Sequence, residues 1–226
     1  MKARVAIVAA LPNEISALVN GWRGDEISPS RGVYIYESER AIVVCAGIGA
    51  ERALIAAGEA LARGPVSGLI SAGFVGALHG RLKIGQVLHP GTVIDARTGE
   101  RFVAHEGDGT VVTSPVISDV REKARLFASY GGDAVDMEGA SVARVAAARK
   151  IPFRLVKAVS DENDFEIKEL GKFVSGRGQF RSGAFGLFLM TRPRLWNKTL
   201  QLAHGSRQAM KALTAELRRE IERQSE

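Results

Sequence analysis

Seven apolar residues in succession, Val5-Ala6-Ile7-Val8-Ala9-Ala10-Leu11, open the hydrophobic pattern of the chain and end at Pro12-Asn13-Glu14. The run follows Met1-Lys2-Ala3-Arg4 and faintly resembles a signal peptide, but it reads better as a buried strand, Arg4–Ala10. A helix over Pro12–Val19 follows, with proline in its first turn. Further apolar runs predict paired strands at Gly32–Glu37 and Ala41–Ala46. Gly47-Ile48-Gly49 then opens a helix over Ala50–Arg63. Strand Val66–Ala72 leads into a second glycine turn, Gly73-Phe74-Val75-Gly76. Strands at Gln86–Asp95 and Thr110–Thr113, a helix over Ser118–Tyr130, a small-residue helix over Gly139–Lys150 and a late buried strand, Phe153–Val159, complete the pattern. Continuous apolar strands alternating with helices predict an α/β fold, a single-domain three-layer αβα arrangement with the sheet covered on both faces. Residues 1–165 form its core, and 166–226 an apolar and basic helical extension of the same domain.

Composition narrows the class. A chain of 226 residues is long enough for one full core, and 46% hydrophobic with 25% charged residues excludes disorder, collagen and a disulfide scaffold. Cys45 is the only cysteine, which points to a reducing, cytoplasmic setting. No apolar run reaches the length needed to span a bilayer. The net charge of +6 is unevenly placed: residues 1–165 hold 19 basic and 19 acidic residues, and 166–226 hold 12 and 6. A basic tail meets nucleic acid, a membrane or an acidic partner, or is simply a solvated helix. His79, His89, His105 and His204 are scattered without metal-ligand spacing, so neither a metal nor a cofactor is expected.

Candidate chemistry gathers at strand ends. Gly47-x-Gly49 lies where a strand meets a helix, but Ala50, Glu51 and Arg52 follow, so neither the Rossmann fingerprint nor a P-loop is present. Glu14 follows the first strand, Asp136 and Glu138 precede the small-residue helix, and Asp161 ends the last apolar run. Each alone reads more readily as a first-turn acid or a cap. Together, at three strand ends of one sheet, they read as a site.

Ala9-Ala10-Leu11-Pro12-Asn13-Glu14, Ala46-Gly47-Ile48-Gly49, Ser71-Ala72-Gly73-Phe74-Val75-Gly76, Val135-Asp136-Met137-Glu138 and Val159-Ser160-Asp161 occur in an order that resembles the purine-nucleoside/uridine phosphorylase superfamily. Over residues 3–165 the set is most similar to its nucleosidase branch, which cleaves methylthioadenosine and S-adenosylhomocysteine. The resemblance implies a mixed central sheet and a homo-oligomer. It implies Asp161 as general acid at the adenine N7, a role that needs a proton near neutral pH and hence burial. It implies Glu14 as the activator of water and Glu138 as the ribose-hydroxyl acceptor, with Met137 packed on the sugar. Ser160, Phe74, Gly73 and Gly49 belong to the substrate subsites, with the adenine against Val112 and Thr113. The chain departs from the pattern at Phe74, where nucleosidases carry a small hydroxyl residue. Phosphorolytic relatives place arginines near the glycine turns; residues 5–22 and 64–80 have no Lys or Arg, and only Arg40 and Arg52 come near. That favours water as nucleophile.

The extension carries Gly176-Arg177-Gly178-Gln179-Phe180, Gly183-Ala184-Phe185-Gly186-Leu187-Phe188-Leu189-Met190, then Arg192-Pro193-Arg194-Leu195-Trp196 and a basic helix to Glu226. The Arg-Pro-x-Leu-Trp stretch resembles the hopanoid-associated members of the superfamily, which remove adenine from adenosylhopane. This implies a lipid-linked nucleoside substrate and a peripheral membrane contact through 183–196. The other reading is a helix packed on the core or on a partner. Aromatic residues are not interleaved with the basic ones, so no nucleic-acid partner is expected. A methylthioadenosine/S-adenosylhomocysteine nucleosidase, a phosphorolytic enzyme and a noncatalytic nucleoside- or nucleic-acid-binding module remain the alternatives.

Overall fold

The structure, a computed structural model, describes residues 3–25, 32–166, 170–175, 178–190 and 192–223. Gly176, Arg177, Thr191 and the end of the basic helix beyond 223 lie outside the described residues.

A mixed sheet forms the centre, as expected. In chain order its strands are β1 (Arg4–Ala9), β2 (Arg23–Gly24), β3 (Tyr34–Glu37), β4 (Ala41–Cys45), β5 (Val66–Ala77), β6 (Val87–Leu88), β7 (Thr92–Asp95), β8 (Arg101–Val103), β9 (Thr110–Thr113), β10 (Ala134–Asp136) and β11 (Phe153–Asp161). They are ordered β2-β3-β4-β1-β5-β10-β9-β7-β8, with β11 pairing both β5 and β6. Pairs β1/β4, β1/β5, β5/β11, β9/β10 and β7/β9 are parallel, whereas β5/β10 and the short outer pairs are antiparallel. β1 is buried along Val5–Ala9, which is why it reads as an unbroken apolar run.

Three expected boundaries move. The first helix, α1, is only Pro12–Ile15. Residues Gly73–Gly76 are not a turn but part of β5. The ladder with β11, Lys157↔Gly73, Ala158↔Phe74 and Val159↔Val75, holds the glycine stretch extended. The Gln86–Asp95 strand breaks in two, with His89–Gly91 between β6 and β7. There Gly91 and Gly107 cross so closely that a Cβ on Gly91 would lie 2.3 Å from the Gly107 carbonyl oxygen. β10, too short to show a period, escapes the sequence pattern.

Helices α2 (Ala50–Ala62) and α4 (Gly139–Arg149) cover one face through small residues such as Ala53, Ala57, Ala60, Ala143 and Ala146. α3 (Val120–Tyr130) begins where the Asp119 carboxylate accepts the Glu122 amide at 2.8 Å and ends on Gly131 at φ 62°. The opposite face is covered by α1 and by α6 (Trp196–Arg223). Ala209, Leu213, Leu217 and Ile221 of α6 are buried there with Ile15, Leu18, Val156 and Ala158. The basic helix is therefore a layer of the fold as well as a charged surface. Gly205 allows its close approach, since a Cβ there would lie 2.3 Å from the Ser160 carbonyl oxygen. Arg154 of β11 reaches the fully enclosed Glu220 at 3.3 Å. Between β11 and α6 lies α5 (Ser182–Met190). Among the described residues, no helix is long and apolar enough to cross a membrane.

Candidate active site

A cavity of about 320 Å³ opens beyond the carboxyl ends of β1, β10 and β11, and Glu14, Glu138 and Asp161 all line it. The three strand ends singled out in the sequence thus converge.

Glu14 sits one turn beyond β1. Its Oε2 accepts the amides of Ala10 and Leu11, each at 3.1 Å, and the Phe74 amide also points to the carboxylate. Gly73, at φ 148°, leaves the space: a Cβ there would stand 3.5 Å from Glu14 Oε2. Burial pushes the Glu14 carboxyl above its ordinary range, against the opposing pull of those amides and of Lys157. The Phe74 side chain lines the cavity while its backbone serves Glu14.

Glu138 follows β10. Its Oε1 accepts the Gly49 amide at 2.7 Å. Gly49, at φ 100°, turns that amide away from the ordinary helical direction and into the site. This amide, which could have met a phosphate, is taken by the chain's own carboxylate. Desolvation, then the Asp136 charge, raise the Glu138 carboxyl to about 7, with Lys157 and the Gly49 amide pulling the other way. Met137 lies beside it on the cavity wall.

Asp136 is fixed rather than free. It accepts the Thr113 hydroxyl at 2.6 Å and the Gly139 amide at 2.8 Å, and pairs with Lys157 Nζ at 2.7 Å. Lys157 is completely buried and also donates to Ser71 Oγ at 3.0 Å.

Asp161 ends β11. Its Oδ1 accepts the Ser160 hydroxyl at 2.7 Å, and its Oδ2 accepts from Lys123 Nζ at 2.5 Å. The sequence led us to expect an acid secluded by burial. The side chain is instead 20% exposed and tied to a buried cation, because α3 delivers Lys123 to it.

Two expected contacts are corrected. Val112 is buried among Leu78, Leu126 and Val135, and the Thr113 hydroxyl is spent on Asp136, so neither lines the cavity. β9 ends at Thr113, and the wall is built by the segment after it, through Val116, Ile117 and Ser118. Gly49 and Gly73 stand one layer back, holding Glu138 and making room for Glu14.

Sequence reasoning missed Lys123, Lys157 and the roof. Val174 and Phe180 from the extension, and Leu202 and Ser206 of α6, also line the cavity. Val174 bridges Phe180, and the Gly178 carbonyl accepts the Ile48 amide at 2.7 Å, which seats this segment on the first glycine turn. Phe180 continues into an aromatic cluster with Phe173, Phe185 and Phe188, whose paired ring centroids lie 5.0–6.5 Å apart.

Among the described residues the cavity lining holds no arginine, and its one cation is Lys123. Arg52 is held by the Ala46 and Gly32 carbonyls, and Arg40 is exposed. His89, Glu216 and Glu220 come within ligating distance of one another elsewhere in the fold. Arg154 and Arg223 already pair with Glu220, making that group an ion-pair network.

Comparison with known proteins agrees with the architecture. The family model described as the phosphorylase superfamily matches residues 4–116 and 104–178. The aminodeoxyfutalosine nucleosidase of Campylobacter jejuni is 26% identical over 196 residues, covering 70% of this chain and 86% of that protein. The Helicobacter pylori 5′-methylthioadenosine/S-adenosylhomocysteine nucleosidase, in a mutant with 5′-methylthioadenosine in its active site, shares the fold at a TM-score of 0.69 and 17% identity, over 97% of this chain and 100% of that one. The H. pylori futalosine hydrolase matches at 0.67 and 17%, over 96% and 98%.

Proposed function

The chain belongs to the phosphorylase superfamily, and on that premise we propose that it is a nucleosidase, hydrolysing the N-glycosidic bond of a 5′-substituted adenosine to release adenine. The observation that carries the reading is the convergence of Glu14, Glu138 and Asp161 on one cavity whose described lining holds no arginine. A phosphate dianion needs cationic partners, and the cavity's single lysine is committed to Asp161 and two carbonyls.

The division of labour follows from the chemistry. The bond breaks through an oxocarbenium-like sugar. Asp161, in its protonated form, gives its proton to the adenine N7 as the bonding pair moves onto the base. Glu14 takes a proton from water, whose oxygen bonds to C1′. Glu138 accepts hydrogen bonds from the ribose hydroxyls, with Met137 against the sugar. A carboxyl raised by burial, as at Glu14, is a better proton acceptor than an ordinary surface carboxylate.

The substrate we propose is a lipid-linked adenosine such as adenosylhopane. The cavity roof at Phe180 runs into the aromatic cluster of α5, beside which Leu187, Trp196 and Leu200 are 68%, 51% and 67% exposed. Arg192, which lies over Phe188 at 4.3 Å, and Arg194 and Lys198 flank these residues, a composition suited to the membrane surface in a peripheral contact. A homo-oligomer, which the family resemblance implies, is part of the proposal, and sedimentation checks it.

Adenine release across adenosine, methylthioadenosine, S-adenosylhomocysteine and a lipid-linked adenosine, with and without phosphate, tests the reading. Expected are a free sugar product and a rate indifferent to phosphate. Ribose 1-phosphate as product would make the enzyme phosphorolytic. Full efficiency on methylthioadenosine with none on the lipid-linked substrate would restrict it to small thionucleosides. Adenine release undiminished in Glu14→Gln and Asp161→Asn would favour a binding module.

A further inference from the structure

We propose that Lys123 is a positioning residue for the proton transfer to the leaving base, fixing Asp161 and the turn after it as one unit. The inference rests on the nucleosidase reading and goes beyond it to a residue that α3 brings against Asp161.

Lys123 lies on α3 and is 2% exposed. Its Nζ donates to Asp161 Oδ2 at 2.5 Å, to the Glu162 carbonyl at 2.7 Å and to the Phe165 carbonyl at 3.2 Å. An ammonium has three protons, and all three are spent. The group therefore has no donor left for a substrate, and it acts through Asp161.

A second observation points the same way. On β5, opposite Asp161, stands Gly76, whose backbone is not in the left-handed region, so conformational freedom does not explain it. Space does: a Cβ there would meet Asp161 Oδ2 at 2.9 Å and Lys123 Cε at 3.1 Å. The fold leaves out a side chain where the pair sits. Ser160 holds the other oxygen, Oδ1, so the carboxyl is fixed at both ends.

The chemistry gives the arrangement a purpose. When the C1′–N bond breaks, its electron pair passes to the base and the Asp161 proton passes to that base. Asp161 becomes a carboxylate, and the adjacent ammonium meets the charge as it forms. Glu14 meanwhile receives the proton from water; afterwards Glu14 releases a proton to solvent and Asp161 regains one from it, which resets both groups. Atoms and charge balance without a further reactant. The stabilisation exists only where the leaving group takes a proton, which makes it visible to experiment.

The test compares Lys123→Met and Lys123→Arg on an adenine nucleoside and on a nitrophenyl riboside, whose nitrophenolate leaves without protonation. In Lys123→Met, kcat on the adenine nucleoside is expected to fall roughly 10²-fold with little change in KM, and the nitrophenyl riboside to lose far less. Lys123→Arg should restore most of the loss. Equal losses on both substrates would mean a merely structural role and overturn the proposal. Amide exchange of residues 162–166 gives an independent readout: it should rise in Lys123→Met and return in Lys123→Arg, and unchanged exchange would also overturn it. If the wild-type protein releases base from neither substrate, the nucleosidase reading falls, and the exchange data still decide whether Lys123 fixes this turn. Gly76→Ala, which pushes on the same pair from β5, should reproduce the substrate-dependent loss if Lys123→Met does not fold.

Discussion

Replacing Glu138 with glutamine should stabilise the protein above neutral pH while lowering activity. Burial and the neighbouring Asp136 hold this carboxyl at about 7, against an ordinary 4.5. At roughly 1.4 kcal/mol per pH unit the difference is worth about 3 kcal/mol. Its sign follows from proton binding. Between pH 4.5 and 7 the unfolded chain gives up this proton first and the folded protein retains it. The native state therefore binds more protons, and wild-type stability falls as pH rises through that window. Below 4.5 both states are protonated and the penalty is absent. Glutamine carries no charge, and its side-chain oxygen can still accept the Gly49 amide now bound at 2.7 Å. Urea unfolding should show Glu138→Gln more stable than wild type by up to about 3 kcal/mol at pH 8, with the gap closing at pH 4. In thermal unfolding that is a gain of roughly 6 °C or more, at about 2–4 °C per kcal/mol for a chain of this size. Loss of charged hydrogen bonds to the ribose should cost roughly 10–100-fold in kcat/KM. A gap that is the same at pH 4 and pH 8, or a wild type more stable at pH 8, would refute the reasoning.

Lys157→Met should destabilise by about 3–5 kcal/mol, because it leaves Asp136 charged and enclosed; adding Asp136→Asn should recover most of this in chemical unfolding. Gly205→Ala should lower both Tm and the rate of base release, since the new Cβ would press on the Ser160 carbonyl just before Asp161. Leu213→Ala, at a fully buried position of α6, should cost about 2–5 kcal/mol in urea unfolding; a loss below about 1 kcal/mol would mean the helix is not part of the core.

The layered α/β architecture was legible because the central strands are buried on both faces and read as near-continuous apolar runs, as along Val5–Ala9. The three carboxyl groups that line the cavity, Glu14, Glu138 and Asp161, were legible because each stands where such a run stops. What stayed hidden depended on long-range pairing. Gly73–Gly76 has the composition of a turn, and only its ladder with β11 makes it strand. β10 is three residues long and gains its place from β5 and β9. The basic tail has the charge of a solvated helix, yet one stripe of it, Ala209, Leu213 and Leu217, is fully buried. Val112 and Thr113 were read into the cavity wall because the end of a strand as short as Thr110–Thr113 cannot be fixed from sequence, and the described wall begins three residues later, at Val116. Lys157 carried a usable signal, a lone cation inside the buried strand Leu155–Val159. Lys123 carried none, since on an amphipathic helix it looks like any surface lysine until Asp161 is brought to it.

The charges of the cavity sort by what holds them. Asp136 and Asp161 are each tied to a buried lysine, Lys157 and Lys123. Glu14 and Glu138 are held chiefly by backbone amides, and both are raised by burial. An amide orients a carboxylate without neutralising it, so these two keep their capacity to accept protons and hydroxyl donors. That is what the water and ribose side of a glycosidic bond requires. A carboxylate beside an ammonium is better suited to the moment after it has given a proton away, which is what the leaving-base side requires. The same sorting disfavours a phosphate nucleophile. The amide of Gly49 is occupied by Glu138, and an incoming dianion would meet two amide-held acids before any free cation in the described lining. The chain's surplus of positive charge lies outside this division, in the segment from 166 onward. The cavity and the layer behind it instead hold four carboxyl groups, Glu14, Asp136, Glu138 and Asp161, against two lysines, Lys123 and Lys157.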